Sequence, residues 1–575
     1  MDKIKDFINK HQDLSVIAGL LVLFYFIFFH NIGNYPLMDV DETRYVGIAR
    51  EMFKSGDYLS LFLNGDYFFE KPPLYFWGEC LSFGLWGGVI NEFTARFPVA
   101  LYGMLSCFLL YFAGKKIVSR SFGVISALIL ATSMEFVILA KFAILDIVLA
   151  VCTVVSVFCG FMTHFCKEEN KKYFWWLFYI FSGLAVMAKG IPGFVIPFGV
   201  MFFVSIVSGR FKEIFKPQYF LVGFLLFFLI TVPWHLIMLK THDPMFFNEY
   251  IIKHHLQRFI NSEDLGRKQP FIFMFLTFLW GVLPWTFSAI AAAWAKLREK
   301  FASIKFEKPE LHNLIGKIAG LNPFKNFKFE ELSNSQKFLL FNWIAFIFVM
   351  LFFSVSSTKL ITYILPIYPY SAVILGFVWM NYIKNGECER EINISSAIFG
   401  GAFIVAGFLA MFAKFVLPPQ IYSDFLTVKW FCIILVLLTG SAIFISLYKK
   451  NRIGLFLSFV FFMVMLSAWG YKLFFDMDYK FGQNDLMQMA KFAKENGYEL
   501  KTFAFGKRYS VYYYYGGQVE FYTQKNTDVL EEFLSNDNLR VIIRNRDLPE
   551  IEQAANIEVV QAGRKYSLIK SGKKL

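Results

Sequence analysis

The stretch "MDVDETRYVGIAREM", Met38 to Met52, places three carboxylates, Asp39, Asp41 and Glu42, within four positions at the head of an amphipathic run. A carboxylate can take a proton from a nucleophile, orient it or balance a cation. Asp39 as N-cap with Glu42 three residues later reads as a D-x-x-E capping box, and acids in a first turn suit the helix dipole. Asp41 is left over, which makes it the first catalytic candidate. Asp146, in "AKFAILDIVLA", is the second. An acid inside an apolar run is costly and points to function, pairing with a neighbour such as Lys141 being the structural alternative.

Cations suited to an anionic group accompany them. In "YFFEKPPLYFW", Glu70 and Lys71 precede two prolines that fix the backbone. Lys71 is then either half of a snorkelling pair or a fixed ammonium for a lipid phosphate. Ile251, His255 and Arg258 follow i, i+4, i+7, so His255 and Arg258 share one helix face. Glu70 and His255 could meet around a divalent metal, although adjacent histidines and a remote acid make a weak signature. Lys189 in "AKGIPG" and Lys359 in "SSTKLITYILP" are each interfacial anchors when taken alone. With Lys71, Arg258 and Arg267 they would form an anion pocket.

What must position these residues is a membrane scaffold. Of 575 residues, 57% are hydrophobic, 74 are Phe and only 18% are charged, too apolar for a soluble chain. Apolar runs give spans near 14–30, 93–113, 122–140, 143–164, 173–188, 190–208, 219–239, 270–293, 337–354, 360–383, 394–416, 428–448 and 453–473, thirteen in all. With the N-terminus in the cytoplasm, four short inner loops carry three cations each, among them Lys115, Lys116 and Arg120, whereas the outer turns carry one apiece: Lys141, Lys189, Lys359 and Lys429. That is the positive-inside pattern, so the net charge of +13 reports topology and not nucleic-acid binding. No cleavage site follows the first span, which reads as an uncleaved anchor. The seven Cys show no CxxC spacing, and neither a disulfide framework nor a thiolate metal site is expected.

Two outer segments, about 31–92 and 240–269, are too polar to span and hold most of the candidates. Residues 1–475 thus form a membrane domain, and 476–575 a small outer α/β domain. There "NDLMQMAKFAKENG" reads as a helix ended by Gly497, "KTFAFG" as a strand, "TDVLEEFLS" as a helix and "LRVIIRN" as a buried strand. "YSVYYYYGG" reads as a strand against the membrane surface or as a sugar-stacking platform. In the opening stretch Tyr45, Ile48, Ala49, Met52 and Phe53 make an apolar stripe suited to a helix on the bilayer surface.

Six motifs, "DVDETRYVGIAREM", "LNGDYFFEKPPLYFW", "GLAVMAKGIPG", "PWHLIML", "HHLQRF" and "SSTKLITYILPIYP", occur in the order found in the aminoarabinose transferase branch of the multi-span, lipid-linked-sugar glycosyltransferases. The chain closely resembles that branch, which is related to the protein O-mannosyltransferases, over nearly its whole length. The resemblance implies a GT-C-type polytopic helical protein of the bacterial inner membrane. It implies transfer of a sugar from undecaprenyl phosphate, at the periplasmic face, onto a lipid A phosphate. It further implies Asp41 and Asp146 as essential acids, Lys71 as a phosphate contact, and Lys189, Arg258, Lys359 and Tyr363 as lining of the lipid-carrier pocket, with Glu70 and His255 able to hold a metal. Aminoarabinose, galactosamine and mannose stay open as the sugar, and a protein or another glycan as the acceptor. A transporter of lipid-linked sugars would need charges near the bilayer midplane and an internal repeat. The sequence has neither.

Overall fold

Length and hydropathy divide the helices into two groups. In the computed structural model, which describes residues 12–257, 269–303, 328–470, 482–524, 536–554 and 556–572, seven helices are long and apolar enough to cross a bilayer. They are Glu92–Ile117, Pro217–His242, Asn334–Val355, Ile361–Asn385, Glu389–Met411, Lys429–Tyr448 and Arg452–Trp469. An eighth crossing forms if Phe273–Gly281 and Thr286–Glu299, bent by 114° at a break containing Pro284, act as one. Four more apolar helices are shorter: Asp13–Phe29, Arg120–Ala131, Asp146–Met162 and Pro192–Val207. A 12-residue helix such as Arg120–Ala131 rises about 18 Å, less than the ~30 Å of a hydrocarbon core. The thirteen crossings expected from apolar runs therefore exceed what helix length and composition support by themselves.

Four elements frame the polar outer segment: α1 (Asp41–Ser55), α2 (Leu74–Leu85), α3 (Glu92–Ile117) and α4 (Asp146–Met162). The α1 stripe does not lie on lipid. Tyr45, Ile48, Ala49 and Met52 are buried, with Tyr45 edge-on to Tyr75 and Phe76 of α2, and Phe53 edge-on to Phe83. An amphipathic stripe specifies burial; here protein supplies it before the bilayer can. Helix α5 (Lys171–Lys189) packs along α4 and ends at Gly190, whose φ of +80° suits glycine. Pro192 starts the next helix, so "AKGIPG" is a real break.

The C-terminal unit is a five-stranded mixed sheet with α6 (Gln483–Glu495) and α7 (Tyr509–Tyr515). Its strands are β1 (Glu499–Phe503), β2 (Glu520–Tyr522), β3 (Leu539–Arg544), β4 (Ile557–Ala562) and β5 (Tyr566–Ser571), in the spatial order β2-β1-β3-β5-β4. β1 runs parallel to β2 and β3, whereas β5 pairs antiparallel with β3 and β4. The helix expected over "TDVLEEFLS" lies outside the described residues. The tyrosine run is a helix and not a strand, and it packs on α1. Gly47 makes this approach possible, because a Cβ there would come within 2.7 Å of the Tyr512 ring.

Candidate active site

The capping box expected at Asp39 and Glu42 does not form. Helix α1 begins at Asp41, its N-cap is Val40, and no side chain caps it. Both acids have stronger partners. Asp39 accepts from the Thr43 hydroxyl at 2.7 Å, from the Ser510 backbone N–H at 2.8 Å and from the Ser510 hydroxyl, tying α1 to the C-terminal unit. Burial raises the Asp39 carboxyl above its ordinary value, while the hydrogen bonds from Ser510 and Thr43 pull the other way.

Glu42 is buried in a two-pronged pair with Arg96 of α3, Nε to Oε1 and Nη2 to Oε2, each 2.8 Å. It also accepts from the backbone N–H of Met38 at 2.8 Å and of Ala143 at 2.7 Å. Arg96 meanwhile donates to the carbonyls of Ile32, Tyr35 and Pro36, each at 2.8 Å, and stacks on the Tyr35 ring. Four parts of the chain thus meet at one ion pair: the 32–38 segment, α1, α3 and the turn that leads into Asp146. A buried charge pair is stable only when its remaining hydrogen-bonding capacity is also met, and here it is.

Asp41 lies on the other side of α1. Its side chain is 54% exposed and takes a 2.8 Å ion pair from Arg44, one turn on. Arg44 also donates to the Tyr45 hydroxyl at 3.0 Å, and its Nη1 is 3.7 Å from Glu70. Burial by itself would lower the Arg44 guanidinium, but Tyr45, Glu70 and Asp41 around it raise it. The buried Tyr45 hydroxyl is pushed up by burial, opposed by Arg44 and reinforced by the charges of Asp41, Asp146 and Glu70. Asp41 and Glu70 thus flank Arg44 beside Tyr45, and the charge of Asp146 also reaches the Tyr45 hydroxyl.

Asp146 opens α4 and Lys189 closes α5, so each charge suits the helix end it occupies. The two form a salt bridge, and Lys189 lies 4.2 Å from the centre of the Tyr363 ring. Lys141, the alternative partner, is not used. It is buried and donates instead to the Ser467 carbonyl at 2.5 Å. Lys71 donates to the Glu70 carbonyl at 3.1 Å. Lys359 donates to the carbonyls of Gln269 and Ser356, at 3.0 and 2.6 Å, and burial lowers its ammonium group. Arg258 and Arg267 lie outside the described residues, as does the side chain of His255. No group of three or more metal-ligating side chains occurs among the described residues, and Glu70 faces the Arg44 guanidinium, which opposes a cation there.

Arg44, Tyr45, Arg96 and Ser510 are the residues that sequence reasoning passed over. Arg44 carries a signal in hindsight, an arginine three residues after an orphan acid. Arg96, a lone cation at the head of an apolar helix, carries another. Ser510 carries none, since its partner lies 471 positions away.

With this geometry in view, similarities to known proteins become specific. The family described as dolichyl-phosphate-mannose-protein mannosyltransferase matches residues 14–243. An uncharacterized protein of Aquifex aeolicus (strain VF5) is 28% identical over 404 residues, 70% of each chain. The undecaprenyl phosphate-alpha-4-amino-4-deoxy-L-arabinose arabinosyl transferase 2 of Proteus mirabilis (strain HI4320) is 26% identical over 429 residues, 72% of this chain and 69% of that one. Among solved structures, ArnT of Cupriavidus metallidurans in the apo state superposes with a TM-score of 0.73 at 18% identity, covering 98% of both chains. The same protein bound to undecaprenyl phosphate gives 0.72 at 19% identity, covering 97% of both. This chain is a homologue of the aminoarabinose transferases, built on the multi-span fold related to the protein mannosyltransferases.

Proposed function

We propose that this protein is a glycosyltransferase that moves an amino sugar from undecaprenyl phosphate to a lipid acceptor, lipid A or a related glycolipid, at the periplasmic face of the bacterial inner membrane. The observation that carries the reading is the pairing of Asp41 and Glu70 with Arg44 and of Asp146 with Lys189, on a chain similar to arabinosyl transferases over about 70% of its length.

In the reaction the bond from the anomeric carbon to the donor phosphate oxygen breaks, and undecaprenyl phosphate leaves with the electron pair. A bond from the acceptor oxygen to that carbon forms. Positive charge develops on the sugar and negative charge on the leaving phosphate, so the site needs fixed cations on one side and carboxylates on the other. Lys71, Lys189, Lys359, Arg258 and Arg267, with Tyr363 beside Lys189, are assigned to the phosphate. Asp41, the exposed acid, is assigned to the acceptor: it takes the proton of a hydroxyl acceptor or orients an already ionised phosphate. Asp146 holds Lys189 in place. The ammonium group of an amino sugar would find the surplus carboxylates favourable.

The topology belongs to the same reading. Thirteen crossings result if the seven long helices, the bent pair, the four shorter apolar helices and α5 all span, with the N-terminus in the cytoplasm. Residues 1–475 then form the transferase domain and 476–575 the periplasmic one. The test is mass spectrometry of lipid A from cells with and without the gene, together with transfer by the purified protein from a radiolabelled undecaprenyl-phosphate sugar. A sugar on lipid A that depends on the gene is expected. Identical lipid A in both strains, with the donor left intact in vitro, would overturn the reading; transfer to a protein instead would reassign the acceptor.

A further inference from the structure

A polar crevice lies in the C-terminal unit and is lined by none of the residues assigned above. About 520 Å³ in volume, it is lined by Arg508, Arg544, Asn545, Arg546, Arg564, Lys565 and Tyr566. Five of these seven are cations and none is an acid. Arg508, Arg544 and Lys565 are half-buried, whereas Arg546 and Arg564 are exposed at the rim. Arg508 and Arg544 make no ion pair among the described residues. Arg544 instead lies over the face of Phe505.

Its place in the sheet is what makes the cluster informative. The strand order β2-β1-β3 means that the chain leaves β1 to one side to form β2 and returns to the other side to form β3. In parallel sheets the crevice outside the carboxyl ends of two such strands is where ligands bind, because the connections diverge there. Arg508 follows β1, Arg544 to Arg546 end and follow β3, and Arg564 to Tyr566 come from the turn between β4 and β5. Two of the three segments are held by backbone hydrogen bonds: Asp485 accepts from the backbone N–H groups of Lys565 and Tyr566 at 2.7 and 3.2 Å, and the Asn545 N–H donates to the Lys565 carbonyl at 2.9 Å. A single phosphate is satisfied by one or two guanidinium forks. Five cations around a volume several times larger suit an anion bearing more than one phosphate.

We propose that this crevice binds the multiply phosphorylated sugar headgroup of the glycolipid acceptor. The assignment rests on the transferase reading above. It is favoured over a free anion by continuity: Arg508 lies two residues before Ser510, which is bonded to Asp39, and Arg508 is within electrostatic reach of that carboxylate. The crevice thus lies next to the contact that ties α1 to the C-terminal unit.

The test uses the full-length protein in phosphatidylcholine nanodiscs. Binding of bis-phosphorylated lipid A, of its dephosphorylated form and of inorganic pyrophosphate is measured for wild type, Arg544→Gln, Arg508→Gln/Arg544→Gln and Arg544→Lys. We expect bis-phosphorylated lipid A to bind at least tenfold tighter than the dephosphorylated form. The double variant should lose about tenfold, with undecaprenyl-phosphate binding and thermal midpoint unchanged, and Arg544→Lys should recover part of the loss. In turnover the same variants should raise the acceptor KM at constant kcat. Unchanged lipid A affinity in the double variant would overturn the proposal. So would pyrophosphate binding that lipid A does not compete, which would make this a free-anion site. Wild type that binds lipid A through these arginines yet transfers no sugar would sink the transferase reading while leaving the crevice assignment standing.

Discussion

Glu42 and Arg96 form a fully buried, two-pronged ion pair that joins α1 to α3 and, through the Ala143 N–H, to the turn preceding Asp146. The placement of α1, which carries Asp41, relative to the turn before Asp146 is therefore tied to the Glu42 carboxylate, which accepts from both Arg96 and the Ala143 N–H. Replacing Glu42 by Gln leaves the Arg96 guanidinium buried without a counter-charge, which costs about 3–5 kcal/mol in comparable sites. Glu42→Gln should lower the thermal midpoint markedly in detergent. Arg96→Lys should do the same, because an ammonium cannot reproduce the fork.

Asp41→Asn should behave differently. The side chain is largely exposed, so the variant should reach the membrane at normal level with an unchanged thermal midpoint, yet lose transfer by two orders of magnitude or more if the carboxylate takes a proton. Where the acceptor is an ionised phosphate, residual activity with little pH dependence is expected. A pH profile of both proteins separates the two cases, and full activity in Asp41→Asn would remove it from the site.

Asp39→Asn tests the tie to the C-terminal unit. The folded carboxyl lies above its unfolded value, so in the window just above pH ~3.9 the folded state holds the proton more tightly, and this residue's contribution to stability falls as pH rises. Asn cannot titrate, so the variant should lose that slope, together with about 1 kcal/mol for each weakened hydrogen bond. Thermal midpoints of both proteins from pH 4 to 7 give the comparison.

Gly47→Val should drive a side chain into the Tyr512 ring and separate α7 from α1. Tyr512→Phe removes only the 2.6 Å hydrogen bond to Glu51 and should cost about 1 kcal/mol. Limited proteolysis should release the C-terminal unit faster from Gly47→Val than from Tyr512→Phe, which should stay close to wild type.

Lys71→Ala and Lys359→Ala should each weaken undecaprenyl-phosphate binding about ten- to a hundredfold, the range for a charge-assisted contact, without a comparable change in stability. Isothermal titration against the purified variants measures it. Unchanged donor affinity in Lys71→Ala would strike it from the phosphate set.

What was legible beforehand follows the range of the interactions. The helices over the apolar runs, the break at Gly190 and Pro192, and the strands at "KTFAFG" and "LRVIIRN" are set by hydropathy period and local backbone chemistry, and were readable. The stripe from Tyr45 to Met52 announced a buried face but not what would bury it. Asp39 and Glu42 were misassigned as caps because a capping box is the cheapest local use for two acids at that spacing. Arg96 and Ser510, the partners that took them, lie 54 and 471 positions away, and no local pattern encodes pairing at such distances. The tyrosine run was misread for the same reason: its helix is specified by what it packs against.

The Tyr514 hydroxyl accepts from the backbone N–H of Leu37 at 2.8 Å and donates to Glu92 at 3.0 Å, while Arg50 reaches the Tyr513 carbonyl. The segment carrying the first acids is thus completed by residues translated some 470 positions later. During synthesis the early helices can form in order, but the packing on α1 stays unfinished until residues 510–514 have been made. A chain stopped before them would leave Leu37, Asp39 and Arg50 without these partners, so α1 would be present yet incompletely held.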